Sequence, residues 1–202
     1  MDRVNKKTLD IFVADYLPPH ADWKSWTHPK TGEVYEVTLS TSTAVSAADF
    51  ESCFRLIEDT SAEDYKKSSD GWKPRAKKKE MQLLDLKYFL VKHNQKVEGF
   101  VSFMPTYEDD YPVIYCYEIH LSSSLQSTGL GSILIGHLEA IGVNIPETEK
   151  TMLTCFTSNA QAVRFYEKLG YVKDPYSPPP KQLRNGTKVE AAYVILSKPI
   201  ER

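Results

Sequence analysis

The sequence predicts a mixed α/β domain in which helices flank a central β-sheet, and three observations indicate this. An apolar, β-branched run at residues 113–121 is followed by a polar loop and then by helical apolar spacing at residues 132–143. A second strand-like run at residues 151–156 leads directly into an amphipathic segment at residues 159–169. Two further apolar runs are separated by a polar turn at residues 93–96, which is typical of a β-hairpin. Strands and helices therefore alternate along the chain.

The composition fits one globular domain. The chain has 202 residues, 41% of them hydrophobic, and a formal net charge of −2, which gives no reason to expect a nucleic-acid site. Its apolar runs are shorter than the roughly 20 residues that cross a bilayer, and no signal-peptide core follows the N-terminus. We therefore expect no membrane partner and a cytoplasmic and nuclear location. The three cysteines lack the spacing of a zinc site or disulfide framework, which predicts buried thiols.

The first elements are a helix, a strand and a second helix. Residues 4–16 place apolar side chains on one helical face, residues 33–40 alternate as a strand, and residues 46–58 carry an apolar stripe of helical period. We expect residues 1–32, the first helix with the extended segment after it, to pack on a domain that spans residues 33–202.

A polar stretch at residues 61–80 contains two aromatic residues, Tyr65 and Trp72, and a basic run at residues 73–79. Pro74 is suited to begin a short helix, so the basic run is most simply the solvated face of that helix, with a chromatin contact as the alternative. The aromatic side chains have no apolar stripe to join in this stretch. Their simplest role is to anchor it to the core.

The later elements are mostly strands. Residues 86–93 and 97–104 form the predicted hairpin, and an acidic connection at residues 106–111 leads into the strand at 113–121. After the helix at 159–169 we expect a short strand at 171–174, a proline-rich loop at 175–186 and a last strand at 189–196.

The loop between residues 121 and 132 predicts a phosphate site. Gly129 and Gly131 just before a helix leave backbone N–H groups uncovered, and the helix dipole favours an anion there. No Lys follows Gly131 as a P-loop requires, and Leu134 stands where a dinucleotide fingerprint has its third glycine.

The spacing Gln126-x-x-Gly129-x-Gly131 instead resembles the acetyl-CoA loop of the GCN5-related N-acetyltransferases (GNAT). The segment from Asn159 to Tyr171 resembles the second CoA-binding segment of that family, in which Asn caps a short helix. The resemblance implies a central, mostly antiparallel twisted sheet of about seven strands, splayed at strand four, and acetyl-CoA as cofactor.

The resemblance also implies which residues bind the cofactor. The backbone of the strand end would hold the pantetheine arm, and the glycine loop would hold the phosphates. The implied set is His120, Leu121, Ser122, Gln126, Ser127, Thr128, Gly129, Leu130, Gly131, Ser132, Ile133 and Asn159.

Two further motifs, Gly71-Trp72-Lys73 and Tyr115-Cys116-Tyr117-Glu118, are similar to the histone-specific N-terminal acetyltransferase branch of the family, and the similarity runs over residues 35–196. It implies transfer of acetyl to the N-terminal serine amine of histone tails that begin Ser-Gly-Arg-Gly-Lys, by direct attack in a ternary complex. It also implies a monomer that needs no auxiliary subunit.

The chemistry needs a base, because a terminal amine with a pKa of about 8 is mostly protonated at neutral pH. Glu118 is the candidate base, and we expect burial in the strand to raise its pKa toward neutrality. The alternative is a carboxylate buried against Arg or Lys. Tyr166 occupies the family position of the acid that protonates the leaving thiolate, and a core aromatic is an equally good interpretation.

Tyr117 is also expected in the active site, although it is the neighbour of Glu118 and regular alternation would point the two side chains to opposite faces. A β-bulge would resolve the conflict, so we predict irregular pairing near residues 117–120.

The resemblance implies a substrate pocket walled by Tyr65, Trp72, Tyr117 and Tyr193, with Thr154 bonding the peptide. Glu108 and Asp109, or the adjacent Asp110, are candidates to bind an Arg in the substrate.

Three other functions stay open. They are a GNAT enzyme for lysine, other N-termini or small amines, a catalytically silent acyl-CoA-binding module, and a reader of histone tails that uses the aromatic residues alone.

Overall fold

The core of the fold is one eight-stranded sheet. The computed structural model describes residues 1–18, 23–69, 71–182, 184 and 186–202. The strands are β1 (Ser25–Thr27), β2 (Val34–Thr41), β3 (Lys87–His93), β4 (Lys96–Glu108), β5 (Tyr111–Leu121), β6 (Lys150–Phe156), β7 (Val172–Lys173), β8 (Lys181–Gln182), β9 (Lys188–Val189) and β10 (Tyr193–Pro199). The order in the main sheet is β1-β2-β3-β4-β5-β6-β10-β7, and β8 pairs with β9 separately. All neighbours are antiparallel except β5 and β6. The predicted fold class is confirmed, with one strand more than expected.

Helices cover both faces of this sheet. They are α1 (Asp2–Asn5), α2 (Leu9–Tyr16), α3 (Ala47–Lys67), α4 (Pro74–Glu80), α5 (Leu130–Asn144) and α6 (Ala160–Lys168). Alternate residues of β3 point to opposite sides, so Phe89 packs with α2 and α5 while Tyr88 packs with α3. Because both sides are covered, β3 is apolar without interruption over residues 88–91. No helix in the described part of the chain is both long and apolar enough to cross a membrane.

The second predicted helix is longer than residues 46–58. Ser46 caps α3 by accepting a hydrogen bond from the Asp49 amide at 3.1 Å, and the helix continues to Lys67. Tyr65 therefore lies on α3, not in a polar connection, and its ring packs at 5.3 Å from the Trp72 ring and at 4.7 Å from the Phe156 ring. The last turns of α3 have a polar sequence without an apolar period, and the packing of Tyr65 on Trp72 and Phe156 stabilises them.

The N-terminal segment contains more regular structure than predicted. Helix 4–16 is divided into α1 and α2 at Thr8, whose hydroxyl caps α2, and Asn5 donates a hydrogen bond to the Pro105 carbonyl at 2.8 Å. The segment expected to be extended includes β1, which pairs with β2 around the buried Trp26. Residues 19–22 of this segment lie outside the described residues.

The end of the chain also differs from the expectation. The last strand, β10, begins at Tyr193 and not at residue 189, and part of the predicted proline-rich loop pairs as β8 with β9. Residues 183 and 185 of that loop lie outside the described residues. All three cysteines are buried free thiols that form no disulfide, as predicted.

We expect Phe12→Ala to lower the free energy of unfolding by about 3–5 kcal/mol, because the ring is fully buried between α2 and the sheet and its loss leaves a cavity. Urea denaturation followed by circular dichroism measures the change. The matched control is Ile11→Ala on the same helix, where the side chain is 48% exposed and the expected cost is under about 0.5 kcal/mol. Equal costs for the two variants would contradict the docking of α2 on the core.

Candidate active site

The site lies where β5 and β6 separate. The two strands pair over residues 113–116 and 150–153 and then diverge, because no β6 residue pairs with β5 beyond Cys116 in the described part of the chain. A cavity of about 1320 Å³ opens there, lined by both strands, the end of α3 and the beginnings of α5 and α6. This confirms the splay predicted for the central strand.

A β-bulge in β5 brings two neighbouring side chains to this cavity. Cys116 pairs with Phe103 and Glu118 pairs with the adjacent Ser102, so Tyr117 is an extra residue in β5. Tyr117 and Glu118 both line the cavity as a result. The predicted irregular pairing is confirmed.

Glu118 is held from two sides. Its Oε1 atom is 2.7 Å from Lys77 Nζ and its Oε2 atom is 2.6 Å from His120 Nε2, while only 10% of its side chain is exposed. Burial by itself would raise the pKa of this carboxyl, but the hydrogen bonds and charges of His120 and Lys77 outweigh burial, and the pKa is lowered. The expectation of a raised pKa is therefore wrong. The alternative interpretation, a carboxylate buried against a basic residue, describes the geometry.

Lys77 is the basic partner. The prediction that residues 73–79 form a solvated helix face is wrong at this position, because Lys77 is buried. Only 7% of its side chain is exposed, and its ammonium also lies 2.8 Å from Glu80 and 4.9 Å from the centre of the Tyr65 ring. Burial would lower the pKa of this ammonium, but attraction to Glu118 and, less strongly, to Tyr65 and Glu80 raises it. Lys77 lies four residues before the buried Met81, and residues at this spacing share one face of a helix. This spacing was the sequence signal that Lys77 points inward.

Tyrosines form the wall of the cavity beside Glu118. Tyr65, Tyr117 and Tyr193, which were predicted to wall a substrate pocket, line it together with Thr154 and Glu108. Burial, and then the charge of Glu118, raises the pKa of Tyr65 to about 12, so its hydroxyl stays protonated.

Two predicted substrate residues lie outside the cavity lining. Trp72 stacks on Phe54 and lies behind Tyr65, and its indole N–H donates to Glu58 at 3.2 Å. Asp109 lies in the β4–β5 turn with a positive φ of 48°. Sequence reasoning did not single out Tyr115, which lines the cavity and whose hydroxyl is 2.6 Å from that of Thr154.

The glycine loop has the geometry of an anion site. Gly129 has φ +89°, which L side chains rarely adopt, and it precedes α5. Within the part of the chain that the structure describes, no acceptor takes the N–H groups of residues 129–131. A Cβ at position 131 would lie 3.3 Å from the Phe165 ring, so glycine also allows α6 to approach the loop.

Most of the predicted cofactor residues line the same cavity. They are His120, Leu121, Gln126, Ser127, Gly129, Gly131, Ser132 and Asn159. The others lie beside it: Leu130 is buried in the core, Ile133 is 42% exposed on α5, and Thr128 donates to the Leu125 carbonyl. Ser122 bonds to the hydroxyl of Ser124.

Tyr166 lies at the boundary between the core and the cavity. Its ring packs in the core against Phe165 and Tyr171, and it also lines the cavity. Among the described residues no hydrogen-bond partner takes its hydroxyl, and burial raises the pKa of that hydroxyl well above its ordinary value. The hydroxyl therefore stays protonated near neutral pH.

Comparison with known proteins agrees with this geometry. Residues 51–171 match the family described as "Acetyltransferase (GNAT) family". The chain is 31% identical over 155 residues to N-alpha-acetyltransferase 40 of Saccharomyces cerevisiae, a match that covers 64% of this chain and 54% of the yeast protein. The chain thus spans about half the length of that relative.

Solved structures with low sequence identity share the fold. The GNAT domain of S. lividans PAT superposes with a TM-score of 0.59 at 14% identity, over 90% of this chain and 98% of that one. Arabidopsis thaliana NAA60 in complex with acetyl-CoA superposes with a TM-score of 0.56 at 13% identity, over 81% of this chain and 98% of that one.

Proposed function

Because this chain belongs to the GNAT acetyltransferase family, we propose that it is an acetyl-CoA-dependent N-alpha-acetyltransferase of the histone-specific type known as N-alpha-acetyltransferase D. Its substrate is the free N-terminal serine of histone tails that begin Ser-Gly-Arg-Gly-Lys. The observation that carries the proposal is a buried carboxylate, Glu118, that lines one cavity together with residues of the glycine loop and with Tyr65, Tyr117 and Tyr193.

The glycine loop and the splay fit acetyl-CoA. The free N–H groups of residues 129–131 lie at the N-terminus of the 15-residue helix α5, a favourable position for a pyrophosphate. The diverging strands leave room for an extended ligand next to β5. When bound, acetyl-CoA supplies the acetyl group as a thioester.

Two protein groups move protons in the reaction. Glu118 accepts a proton from the substrate ammonium, and the neutral amine then forms the new C–N bond as the C–S bond breaks. Tyr166, whose hydroxyl is kept protonated by burial, donates a proton to the departing sulfur. Direct attack needs no covalent intermediate on the enzyme.

Substrate choice follows from the wall and rim of the cavity. Tyr65, Tyr117 and Tyr193 favour a small first side chain such as serine, and Thr154 is placed to bond the peptide backbone. Glu108 lines the cavity and Asp109 follows it in the turn, so Glu108 is the better partner for the Arg at the third position. This substrate class fits a cytoplasmic and nuclear monomer that acts without an auxiliary subunit.

The test is acetyl transfer to two peptides, Ser-Gly-Arg-Gly-Lys and its copy with a blocked α-amine. We expect transfer to the free amine alone. Equal transfer to both peptides would place the reaction on lysine. Transfer to spermidine alone would indicate a small-amine enzyme, and acetyl-CoA binding without turnover would indicate a silent binding module.

Replacing Gly129 by valine should raise KM for acetyl-CoA at least about tenfold, because a β-branched residue resists positive φ and would reorient the N–H groups of the loop. Steady-state kinetics at saturating peptide measures the effect. Gly136→Ala within α5 is the matched control: its Cβ would meet open space, so KM should stay near the wild-type value. A normal KM for Gly129→Val would contradict phosphate binding by this loop.

A further inference from the structure

The His120 ring is bonded on both sides, and the function proposed above does not use it. Its Nε2 atom is 2.6 Å from Glu118 Oε2 and its Nδ1 atom is 2.6 Å from the Thr60 hydroxyl. The side chain is 9% exposed and its ring packs on Phe100. His120 therefore has one orientation, which connects the candidate base to α3.

Thr60 determines which nitrogen of His120 carries hydrogen. The Thr60 hydroxyl also lies 2.6 Å from the Leu56 carbonyl, and a carbonyl oxygen has no hydrogen to give. Thr60 must therefore donate to Leu56, and its oxygen accepts from Nδ1–H of His120. The neutral ring in this geometry has its lone pair on Nε2, facing Glu118.

One proton must then lie between Glu118 and His120. A carboxylate oxygen and a bare Nε2 would repel at 2.6 Å, so the pair in this geometry holds a shared proton. When the pair loses that proton, the remaining negative charge is offset by the Lys77 ammonium at 2.7 Å from the other carboxylate oxygen. The deprotonated pair is the form that can accept a proton from an amine.

We propose that His120 is a positioning and proton-accepting partner of Glu118. Glu118 takes a proton from the substrate ammonium and shares it with Nε2 of His120, and Thr60 holds the His120 ring in the tautomer that this sharing requires. This inference rests on the proposed function. The substrate ammonium loses one proton to the pair and a second to Tyr166, which replaces the proton that Tyr166 gives to the departing thiolate, and the third hydrogen stays on the new amide. The pair then releases its proton to water in the cavity, which restores the base.

Several titratable or charged groups face the pair. Lys77 and Glu80 approach from α4, Tyr65 from α3, Tyr88 from β3, Cys116 from β5 itself and Tyr166 from α6. The tyrosines and Cys116 have raised pKa values because they are buried, so they stay neutral around pH 7. Lys77 and Glu80 are then the charges beside the pair.

The kinetic test is the pH profile of kcat for His120→Gln with saturating Ser-Gly-Arg-Gly-Lys. Glutamine can donate to Glu118 but cannot take up a proton, so kcat should fall by about 10- to 100-fold, with KM for the peptide close to the wild-type value. The limb in which wild-type kcat rises with pH should move to lower pH, since Glu118 then titrates alone beside Lys77. His137→Gln on α5, outside the cavity lining, should reproduce the wild-type profile.

Ring NMR of ¹⁵N-labelled histidine gives a measurement that does not need turnover. We expect Nδ1 of His120 to be protonated throughout the titration in the wild type, and we expect this preference to be lost in Thr60→Val. If the wild-type enzyme is active and His120→Gln has the same kcat and the same pH limb, the proton sharing between Glu118 and His120 (the relay) is overturned, and the proposed function is not. A wild-type protein that acetylates no peptide would overturn the proposed function, and a neutral Nε2–H ring in the spectrum would independently overturn the relay.

Discussion

Replacing Glu118 by glutamine should lower kcat for acetyl transfer by about 100- to 10,000-fold, the range that a positioned acid or base contributes. Glutamine preserves the shape of the side chain and can still contact Lys77, but its amide cannot accept a proton. The substrate amine would then have to lose its proton to water, and a protonated amine has no lone pair to attack the thioester. Single-turnover transfer to Ser-Gly-Arg-Gly-Lys measures the chemical step directly.

Glu80→Gln is the matched control for this variant. Glu80 is also a carboxylate in contact with Lys77, at 2.8 Å, but it is 42% exposed and has no contact with His120. We expect its loss to change kcat by less than about tenfold, as for an exposed ion pair. If Glu118→Gln binds acetyl-CoA normally and keeps a kcat within that same range, another group is the base.

Replacing Lys77 by methionine should lower the free energy of unfolding by about 3–5 kcal/mol at pH 7, because it leaves Glu118 charged, buried and short of one partner. The pH dependence has a definite sign. The folded-state pKa of Glu118 is lowered, so ionised Glu118 contributes stability above its unfolded pKa, and that stability is lost as the pH falls through the folded pKa. Without Lys77 the burial of Glu118 is less well offset, so its folded-state pKa rises, and the stability that ionised Glu118 contributes shrinks and is lost at a higher pH. Urea titrations at neutral and mildly acidic pH measure both effects.

Lys78→Met provides the comparison on the same helix. Lys78 pairs with Glu51 in a partly exposed position, where 37% of its side chain is accessible. Such a pair contributes about 0–1 kcal/mol. Equal losses for the two lysine variants would mean that Lys77 acts through general helix packing and not through Glu118.

The sequence by itself determined the parts of the protein that depend on near neighbours. Strand β5, the glycine loop and helix α5 follow from apolar periodicity and from two glycines at fixed spacing, and Asn159 caps α6 as expected, accepting from the Ala162 amide at 3.0 Å. The bulge was predictable only with the family resemblance, which implied that both Tyr117 and Glu118 serve the active site and so required the alternation of β5 to be broken. The strand, the loop, the helix and the cap each needed only a few consecutive residues.

Only the tertiary structure decided the electrostatics of the site and which aromatic side chains line its cavity. Lys77 and Glu118 are 41 positions apart and Thr60 and His120 are 60 apart, so no local pattern shows that they meet. The docking of α3 and α4 on the sheet brings them together and reverses the expected direction of the Glu118 pKa shift. The same docking places Tyr65 in the cavity wall and Trp72 behind it. Burial and charge are properties of the assembled surroundings, and a side chain acquires them only when distant segments pack against it.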